Sequence, residues 1–292
     1  MPKPELKRAV ACAVAAARGA GEMMRKNLRA TKKVNEATQH DIKLELDVRC
    51  QKRIERALRR AFPQIPVLGE EGITGDPQAE FRWVVDPIDG TVNFTYGIPH
   101  ACVSIALQCR HELAIDNRQY MRGVLRRDFV RRSIGNKASS PDSPHHQTML
   151  GVVYDPFCGE LWTAVRGQPA RLNGKPIRVS SKSRLDEAIV SIGFAKHAYT
   201  LKRMIPTLNE LIYRVRKIRI MGSAALSMVY VASGRMDAYI EYGLRLWDIA
   251  AGGLILECAG GDFWRRAVEG EYTYRILASN GRLRRQLEQF TR

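Results

Sequence analysis

The sequence predicts a mixed α/β protein built as a layered sandwich. Short apolar runs of strand length occur along the same chain as longer stretches with apolar residues at helical spacing. At 292 residues and 45% hydrophobic content, the chain can bury a sizeable core in one large or two closely packed domains. No apolar run approaches the roughly 20 residues that a membrane-spanning helix needs.

The first helix is predicted from about Pro4 to Arg29. Its stretch from Ala9 to Ala20 is apolar enough to raise the question of a signal peptide. However, Arg18 interrupts that stretch and a Lys/Arg segment follows it. The pattern therefore favours the opening helix of a soluble domain.

A second helix is predicted from Asp47 to Phe62. Ile54, Leu58 and Phe62 follow one another at four-residue intervals, with Arg and Lys on the other face. Asp47 is the expected N-cap, because Asp is among the preferred capping residues. Further helices are predicted near Tyr199–Val215, Ala224–Ala232 and Ile249–Gly260.

The strands are predicted from short apolar runs bounded by turn residues. They fall near Phe81–Val85, Cys102–Gln108, Gly151–Tyr154, Leu161–Val165, Ala188–Ile192 and Asp237–Glu241.

One turn carries the most chemical information. The apolar run Phe81–Val85 delivers Asp86 and Asp89, and Pro87 and Gly90 force the backbone to turn around them. Carboxylates held this rigidly suit hard, oxygen-seeking cations such as Mg²⁺.

The residues after that turn predict a phosphate site. If a helix begins after Gly90, the backbone N–H groups of Gly90, Thr91 and Val92 have no partner within the helix and face outward. Carboxylates for a metal beside open amides for phosphate predict a metal-dependent phosphatase. Taken alone, Asp-Pro or Asp-Gly would indicate an ordinary surface turn.

Two other acidic segments are candidates for the same site. Glu70 and Glu71 lie between glycines; an isolated pair of this kind would be a solvated turn. Asp248 follows Trp247 and precedes a predicted helix, so it is either the N-cap of that helix, a metal ligand, or both.

The string from Asp86 to Phe94 resembles the D-P-I-D-G-T-x-N-F signature of the inositol monophosphatase family. Those proteins are Mg²⁺-dependent, Li⁺-sensitive phosphomonoesterases. Gly69-Glu70-Glu71 is similar to the family's G-E-E element, and the segment from Trp247 is similar to its W-D-x-A-A/G element. The resemblance extends over nearly the whole chain.

The resemblance implies an αβαβα sandwich with an α+β half over residues 1–180 and an α/β half over residues 181–292. The metals would lie between the halves, and the protein would be a homodimer. A first Mg²⁺ would be held by Glu70, Asp86 and the carbonyl of Ile88. A second would be held by Asp86, Asp89 and Asp248, with a third ion and a supporting role for Glu71 left open.

The resemblance also implies catalytic and substrate roles. Thr91, paired with Glu70 or Asp89, would orient the attacking water, and the amides of Gly90 and Thr91 would take phosphate oxygens. The implied substrate contacts are Gly222, Ser223, Ala224, Glu241 and Arg245. Without the resemblance, Gly-Ser-Ala is typical of a helix start, and an Arg near a Trp is typical of surface packing.

Two segments depart from the family pattern. Leu44 stands where many members have the threonine of a D-x-V-T-x-x-D element, which weakens the transfer of inositol specificity. Residues 110–148 join two predicted strands that a short turn usually connects. This length predicts a functional loop or a disordered insert, and His145-His146 is expected to belong to that loop rather than to a metal site.

The net charge of +17 supports an alternative function. It arises from 47 Lys and Arg against 30 Asp and Glu, and a nucleic-acid-binding protein on a phosphatase scaffold would use such a surface. Few aromatic residues lie among the basic clusters, which disfavours binding of single-stranded nucleic acid by base stacking. A basic rim would equally attract anionic phosphate esters.

The expected substrate is therefore a small phosphate ester of a sugar or polyol. Histidinol phosphate, fructose 1,6-bisphosphate and 3′-nucleotides are the alternatives within the enzyme class. The six cysteines are scattered, without a C-x₂-C pair, which predicts reduced thiols and a cytoplasmic location. No membrane association is expected.

Overall fold

The computed structural model describes residues 1, 3–37, 42–110, 146–194 and 198–291. The helices are α1 (Lys3–Asn27), α2 (Glu45–Ala61), α3 (Thr91–Thr95), α4 (Ala198–Leu211), α5 (Ala224–Ala232), α6 (Leu246–Cys258) and α7 (Arg284–Leu287). Short 3₁₀ helices lie at Leu185–Glu187 and Glu288–Thr291.

Most strands belong to two sheets. The first, in the order β10-β9-β8-β7-β6-β5-β3-β4, contains β3 (Val67–Gly69), β4 (Gly72–Thr74), β5 (Phe81–Asp89), β6 (Cys102–Arg110), β7 (His146–Asp155), β8 (Glu160–Val165), β9 (Arg171–Leu172) and β10 (Lys175–Pro176). The second, in the order β12-β11-β13-β15-β14, contains β11 (Ile189–Ile192), β12 (Lys217–Arg219), β13 (Ala238–Arg245), β14 (Asp262–Ala267) and β15 (Thr273–Ser279). A separate antiparallel pair is formed by β1 (Val34–Ala37) and β2 (Ile42–Leu44).

The elements stack as five layers, which confirms the predicted αβαβα sandwich. Helices α1 and α2 cover one face of the first sheet, α5 and α6 lie between the two sheets, and α4 packs on the outer face of the second sheet. Three buried apolar clusters fill the spaces between these layers. The division at residue 180 stays a prediction, although the first sheet is built from residues 67–176 and the second from residues 189–279.

The outer pair α1 and α2 packs closely because α1 is rich in alanine. Its buried face consists of small side chains such as Ala13 and Ala17, both fully buried. The thiol of Cys12 donates a hydrogen bond to Ala57 O across the pair at 3.4 Å. Within the described residues, no helix is both long enough and apolar enough to cross a bilayer.

The middle helices are apolar on all sides because both of their faces are covered. Glycine allows the closest approach: a Cβ atom at Gly151 of β7 would lie 2.8 Å from Ala251 O and 3.2 Å from Ala251 Cα. This backbone contact fixes the distance between the first sheet and α6.

The element boundaries differ from the predicted ones by a few residues, and two helix starts differ in kind. Helix α2 begins at Glu45, so Asp47 is its third residue rather than its N-cap. The Asp47 carboxylate still accepts a hydrogen bond from the N–H of Leu44, at 2.7 Å. Strand β15 was not predicted, although it is fully buried and pairs with both β13 and β14.

The long connection between β6 and β7 begins and ends on paired residues. Arg110 and His146 are partners in the ladder that joins the two strands. The assignment of His146 to a loop was wrong: the residue is buried, and its Nε2 lies 2.9 Å from Ala79 O. The rest of the predicted insert, residues 111–145 with His145, lies outside the described residues.

Replacing Gly151 with Ala is expected to lower the free energy of unfolding by about 1–3 kcal/mol, because the new methyl group would meet backbone atoms that cannot move independently. Urea denaturation measures this change. The control is Gly19→Ala on α1, where the methyl would meet only the flexible Arg53 side chain. That change should be neutral or stabilising by up to about 1 kcal/mol, since it removes a helical glycine. Equal destabilisation by both changes would contradict the proposed contact.

Candidate active site

A β-bulge places Asp86 and Asp89 on the same face of the first sheet. Asp86 pairs with Ser104 and Asp89 pairs with Cys102, so one extra residue lies in β5 between the two pairs. In a regular strand, residues three apart point to opposite faces. The bulge removes this alternation and directs both carboxylates toward the middle helices.

The Asp89 carboxylate caps the N-terminus of α5. It accepts hydrogen bonds from the N–H groups of Ala224 at 3.2 Å and Ala225 at 2.8 Å, and from the hydroxyl of Ser223. The thiol of Cys102 lies 3.6 Å from the same carboxylate. The positive end of the helix dipole thereby compensates the buried charge.

Asp86 is the most strongly perturbed of the clustered acids. It is 1% exposed, and its Oδ1 accepts a hydrogen bond from the N–H of Ile88 at 3.0 Å. Burial raises the pKa of Asp86 well above its usual range. The negative charges of four acids raise it further: Glu70, Asp89, Asp248 and Asp47. Acids from separated segments therefore converge on one position.

Glu70 and Asp248 reach this position from different layers. Glu70 begins the turn between β3 and β4, where its N–H donates to Val85 O at 3.1 Å. Gln51 of α2 supports the same turn by accepting a hydrogen bond from the N–H of Glu71 at 2.9 Å. Asp248 is the third residue of α6, not its N-cap as one reading predicted, and it accepts from the N–H of Arg245 at 2.7 Å.

The donor set fits a hard cation. Carboxylate oxygens and the Ile88 carbonyl are the ligand types that Mg²⁺ prefers. A cation would also neutralise the like charges that raise the pKa of Asp86. Among the described residues, no three His, Cys, Asp or Glu side chains already stand close enough together to hold an ion.

Helix α3 begins where the sequence predicts it, directly after Gly90. Gly90 has φ 95°, a left-handed conformation that favours glycine, and backbone atoms of His100 and Gly222 lie against it. The hydroxyl of Thr91 donates to Ile88 O at 2.9 Å. In this structure the hydroxyl thus bonds to the carbonyl that the resemblance implies as a metal ligand.

Asn93 links the two segments that flank the site. Its side-chain amide donates to His100 O at 2.9 Å and to Met221 O at 2.8 Å, across a separation of 128 residues along the chain. Gly222 follows with φ 72°, and a Cβ atom there would lie 3.0 Å from the Asn93 side chain. Gly222, Ser223 and Ala224 are therefore held beside α3.

Glu241 is a buried acid on β13. It is 7% exposed, and its carboxylate accepts a hydrogen bond from the hydroxyl of Tyr239. A Cβ atom at Gly193 would lie 1.5 Å from Glu241 Oε2, so the missing side chain at Gly193 makes room for the carboxylate.

Arg245 is exposed and bound to its own chain. Its guanidinium donates to Thr273 Oγ1 at 2.8 Å and to Glu271 O at 2.5 Å, at the turn between β14 and β15. The structure thus places the Arg245 head group on this turn.

Sequence reasoning gave no role to several residues that position the candidate site. Asn93 lies inside the segment from Asp86 to Phe94 that resembles the family signature. The sequence therefore locates the residue but does not indicate its hydrogen-bond partners. The other four act through contacts between distant segments, for which the sequence contains no local signal. They are Gln51, Cys102, Gly193 and Tyr239.

Comparison with known proteins assigns the class. The sequence model described as the inositol monophosphatase family matches residues 5–115 and 144–289. Inositol monophosphatase 1 of Solanum lycopersicum is 37% identical over 257 residues, covering 85% of this chain and 81% of that protein. The Nus factor SuhB of Pseudomonas aeruginosa is 35% identical over 257 residues, covering 85% and 82%.

Solved structures agree with this result. The extragenic suppressor protein suhB from Bartonella henselae superposes with a TM-score of 0.78 at 29% identity, covering 98% of each chain. The inositol monophosphatase from Anabaena superposes with a TM-score of 0.75 at 28% identity, covering 98% of this chain and 96% of that one.

Fold and relatives together define a phosphoric monoester hydrolase. The chain belongs to the inositol monophosphatase family. The family match is interrupted between residues 115 and 144, which coincides with the insert predicted from the sequence.

Asp86→Asn is expected to stabilise the metal-free protein at neutral pH. The change removes an ionisable group whose charged form is disfavoured by burial and repelled by four neighbouring carboxylates. Urea unfolding in the presence of EDTA measures it.

The matched control is Asp237→Asn. Asp237 is equally buried, but its carboxylate accepts hydrogen bonds from Ser180 and Ile189 and pairs with Lys182 at 3.3 Å. Asparagine there should destabilise the protein by about 1–3 kcal/mol. Destabilisation by Asp86→Asn of the same size would contradict the repulsion described at Asp86.

Proposed function

We propose that this protein hydrolyses a phosphate monoester of a sugar or polyol, using two Mg²⁺ ions and an activated water. The observation that carries the proposal is the convergence of Glu70, Asp89 and Asp248 on the buried Asp86, beside the N-terminal ends of α3 and α5. The family is generally metal-dependent, which agrees with this donor set.

The ligands are proposed as the resemblance implies them. Glu70, Asp86 and the carbonyl of Ile88 would hold one ion, and Asp86, Asp89 and Asp248 would hold the other. When bound, Mg²⁺ would supply charge neutralisation and lower the pKa of a coordinated water. The presence and role of a third ion, with Glu71 nearby, stays a prediction.

The protein's own groups would orient the reactants. Glu70 would accept a proton from the attacking water, and Thr91 would fix the position of that water. The hydroxyl of Thr91 already bonds to Ile88 O, which keeps it next to the proposed ligands. The N–H groups of Gly90 and Thr91, at the start of α3, would bind phosphate oxygens.

The polyol preference rests on Glu241. Its buried carboxylate is held by Tyr239 and lies on the strand that leads to Asp248, so it would accept hydrogen bonds from substrate hydroxyls. Gly222, Ser223 and Ala224 would line the same pocket. Histidinol phosphate, fructose 1,6-bisphosphate and 3′-nucleotides remain the alternatives. The guanidinium of Arg245 already donates hydrogen bonds to Glu271 O and Thr273 Oγ1. It therefore gives little support to a second phosphate subsite at that residue.

Two further features belong to the proposal. All six cysteines have free thiols, which supports a reducing, cytoplasmic location. A homodimer is proposed from the family resemblance, and sedimentation equilibrium would test it.

Nucleic-acid binding stays open as a second, non-enzymatic function. It is favoured by the net charge of +17. It would not compete with the carboxylate cluster, because basic side chains rather than acids would carry it.

Phosphate release from a panel of these esters should require Mg²⁺, fall with Li⁺ and rank a sugar or polyol monophosphate first. Asp86→Asn should lower kcat/KM by at least about a hundredfold, because both ions would lose a shared ligand. A folded, Mg²⁺-saturated protein that releases phosphate from none of the esters would overturn the proposal.

Gly193→Ala should raise KM for the preferred polyol phosphate by about tenfold, because the methyl group would displace the Glu241 carboxylate. Tyr239→Phe should act in the same direction but more weakly, since only one hydrogen bond is lost. Kinetics on phenyl phosphate, which lacks polyol hydroxyls, provide the control and should change less than twofold. An equal rise in KM for both esters would show that Glu241 does not recognise substrate hydroxyls.

A further inference from the structure

The outward face of α2 carries a dense group of positive charges. Six exposed cations occur within residues 49–60, a helical length of about 16 Å. We call this set the α2 basic face: Arg49, Lys52, Arg53, Arg56, Arg59 and Arg60.

The α2 basic face carries more positive charge than the acids beside it, Glu22, Glu45 and Glu55, can neutralise. Glu55 lies beside Lys52, Arg56 and Arg59, but its carboxylate accepts hydrogen bonds from Gln51 Nε2 at 2.9 Å and from Thr74 Oγ1 at 3.3 Å. Glu45, in the first turn, pairs instead with Lys33 at 2.9 Å. Within the described ranges, none of the six cations lies within 4.0 Å of a carboxylate oxygen.

The helix beneath these cations is firmly fixed. Ile54 and Leu58 are fully buried against the first sheet, and α1 packs along one side. The guanidinium of Arg53 lies over Gly19 of α1, where a Cβ atom would be 2.8 Å from Arg53 Nε. Arg18 and Arg25 are exposed on α1 and extend the positive surface onto that neighbouring helix. A polyanion would therefore meet cations that are carried on a firmly packed helix.

The chemistry of the face selects among polyanions. Five of its six cations are arginines, whose planar forks bind phosphate oxygens in pairs. Its apolar side is buried in the core, so α2 has no hydrophobic surface to insert into a lipid bilayer. A small phosphate ester would neutralise only one or two of the charges, whereas a nucleic-acid backbone presents a phosphate at every few ångströms.

We propose that the α2 basic face binds the phosphodiester backbone of nucleic acid without reading its sequence. No exposed aromatic residue lies among the six cations, so base stacking is not available to them. The proposal does not rest on the phosphatase chemistry, because none of these residues belongs to the candidate active site.

Fluorescence anisotropy with a labelled 20-nucleotide RNA and a DNA duplex of the same sequence tests this proposal. The variant is the full chain carrying K52Q, R56Q and R59Q together. The matched control carries R216Q, K217Q and R219Q, three exposed basic residues at and beside β12. Both variants remove the same net charge, and circular dichroism and phosphatase activity check that each is folded.

The α2 variant should bind at least about tenfold more weakly at 100 mM salt, and its log–log salt slope should fall by about two to three. The control variant should lose less than threefold. RNA and duplex should respond alike, since the backbone is the shared ligand.

Three results would overturn the proposal. The wild-type protein could fail to bind either nucleic acid at 50 mM salt, or the control variant could lose as much affinity as the α2 variant. Alternatively, vesicles of anionic phospholipid could bind the wild-type protein while neither nucleic acid does.

Discussion

The structure depends on holding several carboxylates together out of water. Asp86 is buried near four other acids, an arrangement that costs free energy unless other groups compensate the charge. The bulge in β5 puts Asp86 and Asp89 on one face, and the start of α5 donates three hydrogen bonds to Asp89. Like charges nevertheless raise the pKa of the buried Asp86, and a cation would offset this repulsion.

The middle layer follows from the same requirement. Two helices must bring their N-terminal ends to one edge of the first sheet, so they must pack closely against that sheet along their whole length. Gly151 permits this contact at Ala251, and the hydroxyl of Ser104 donates to Trp247 O at the start of α6. The polar cluster and the apolar core are therefore parts of the same packing arrangement. The small residues allow the first sheet and the middle helices to approach closely, and this approach brings the acids near one another.

Much of this could be predicted from the sequence, because the informative residues are contiguous. The turn from Asp86 to Phe94 contains its own glycine, proline and acids, and apolar spacing alone located most helices. The errors have physical causes. Strand β15 has no flanking proline and no clear polar alternation, since it is covered on both faces. Asp47 and Asp248 bond to the N–H groups of residues three before them, which places each one turn further into its helix than an N-cap. Gly193 and Tyr239 matter only through Glu241, a contact that no local pattern encodes.

The Asn93 bridge has a consequence for how the protein reaches its native state. It joins backbone segments 128 residues apart, and the acids around Asp86 come from equally distant parts of the chain. Such contacts close long loops and form only after both sheets have been built, since loop closure costs entropy that local contacts do not. We therefore expect the geometry of the candidate site to be among the last features to appear during folding. In a refolding experiment, recovery of activity would accordingly indicate that the whole sandwich has assembled. Recovery of the helical circular dichroism signal would indicate only that individual helices have formed.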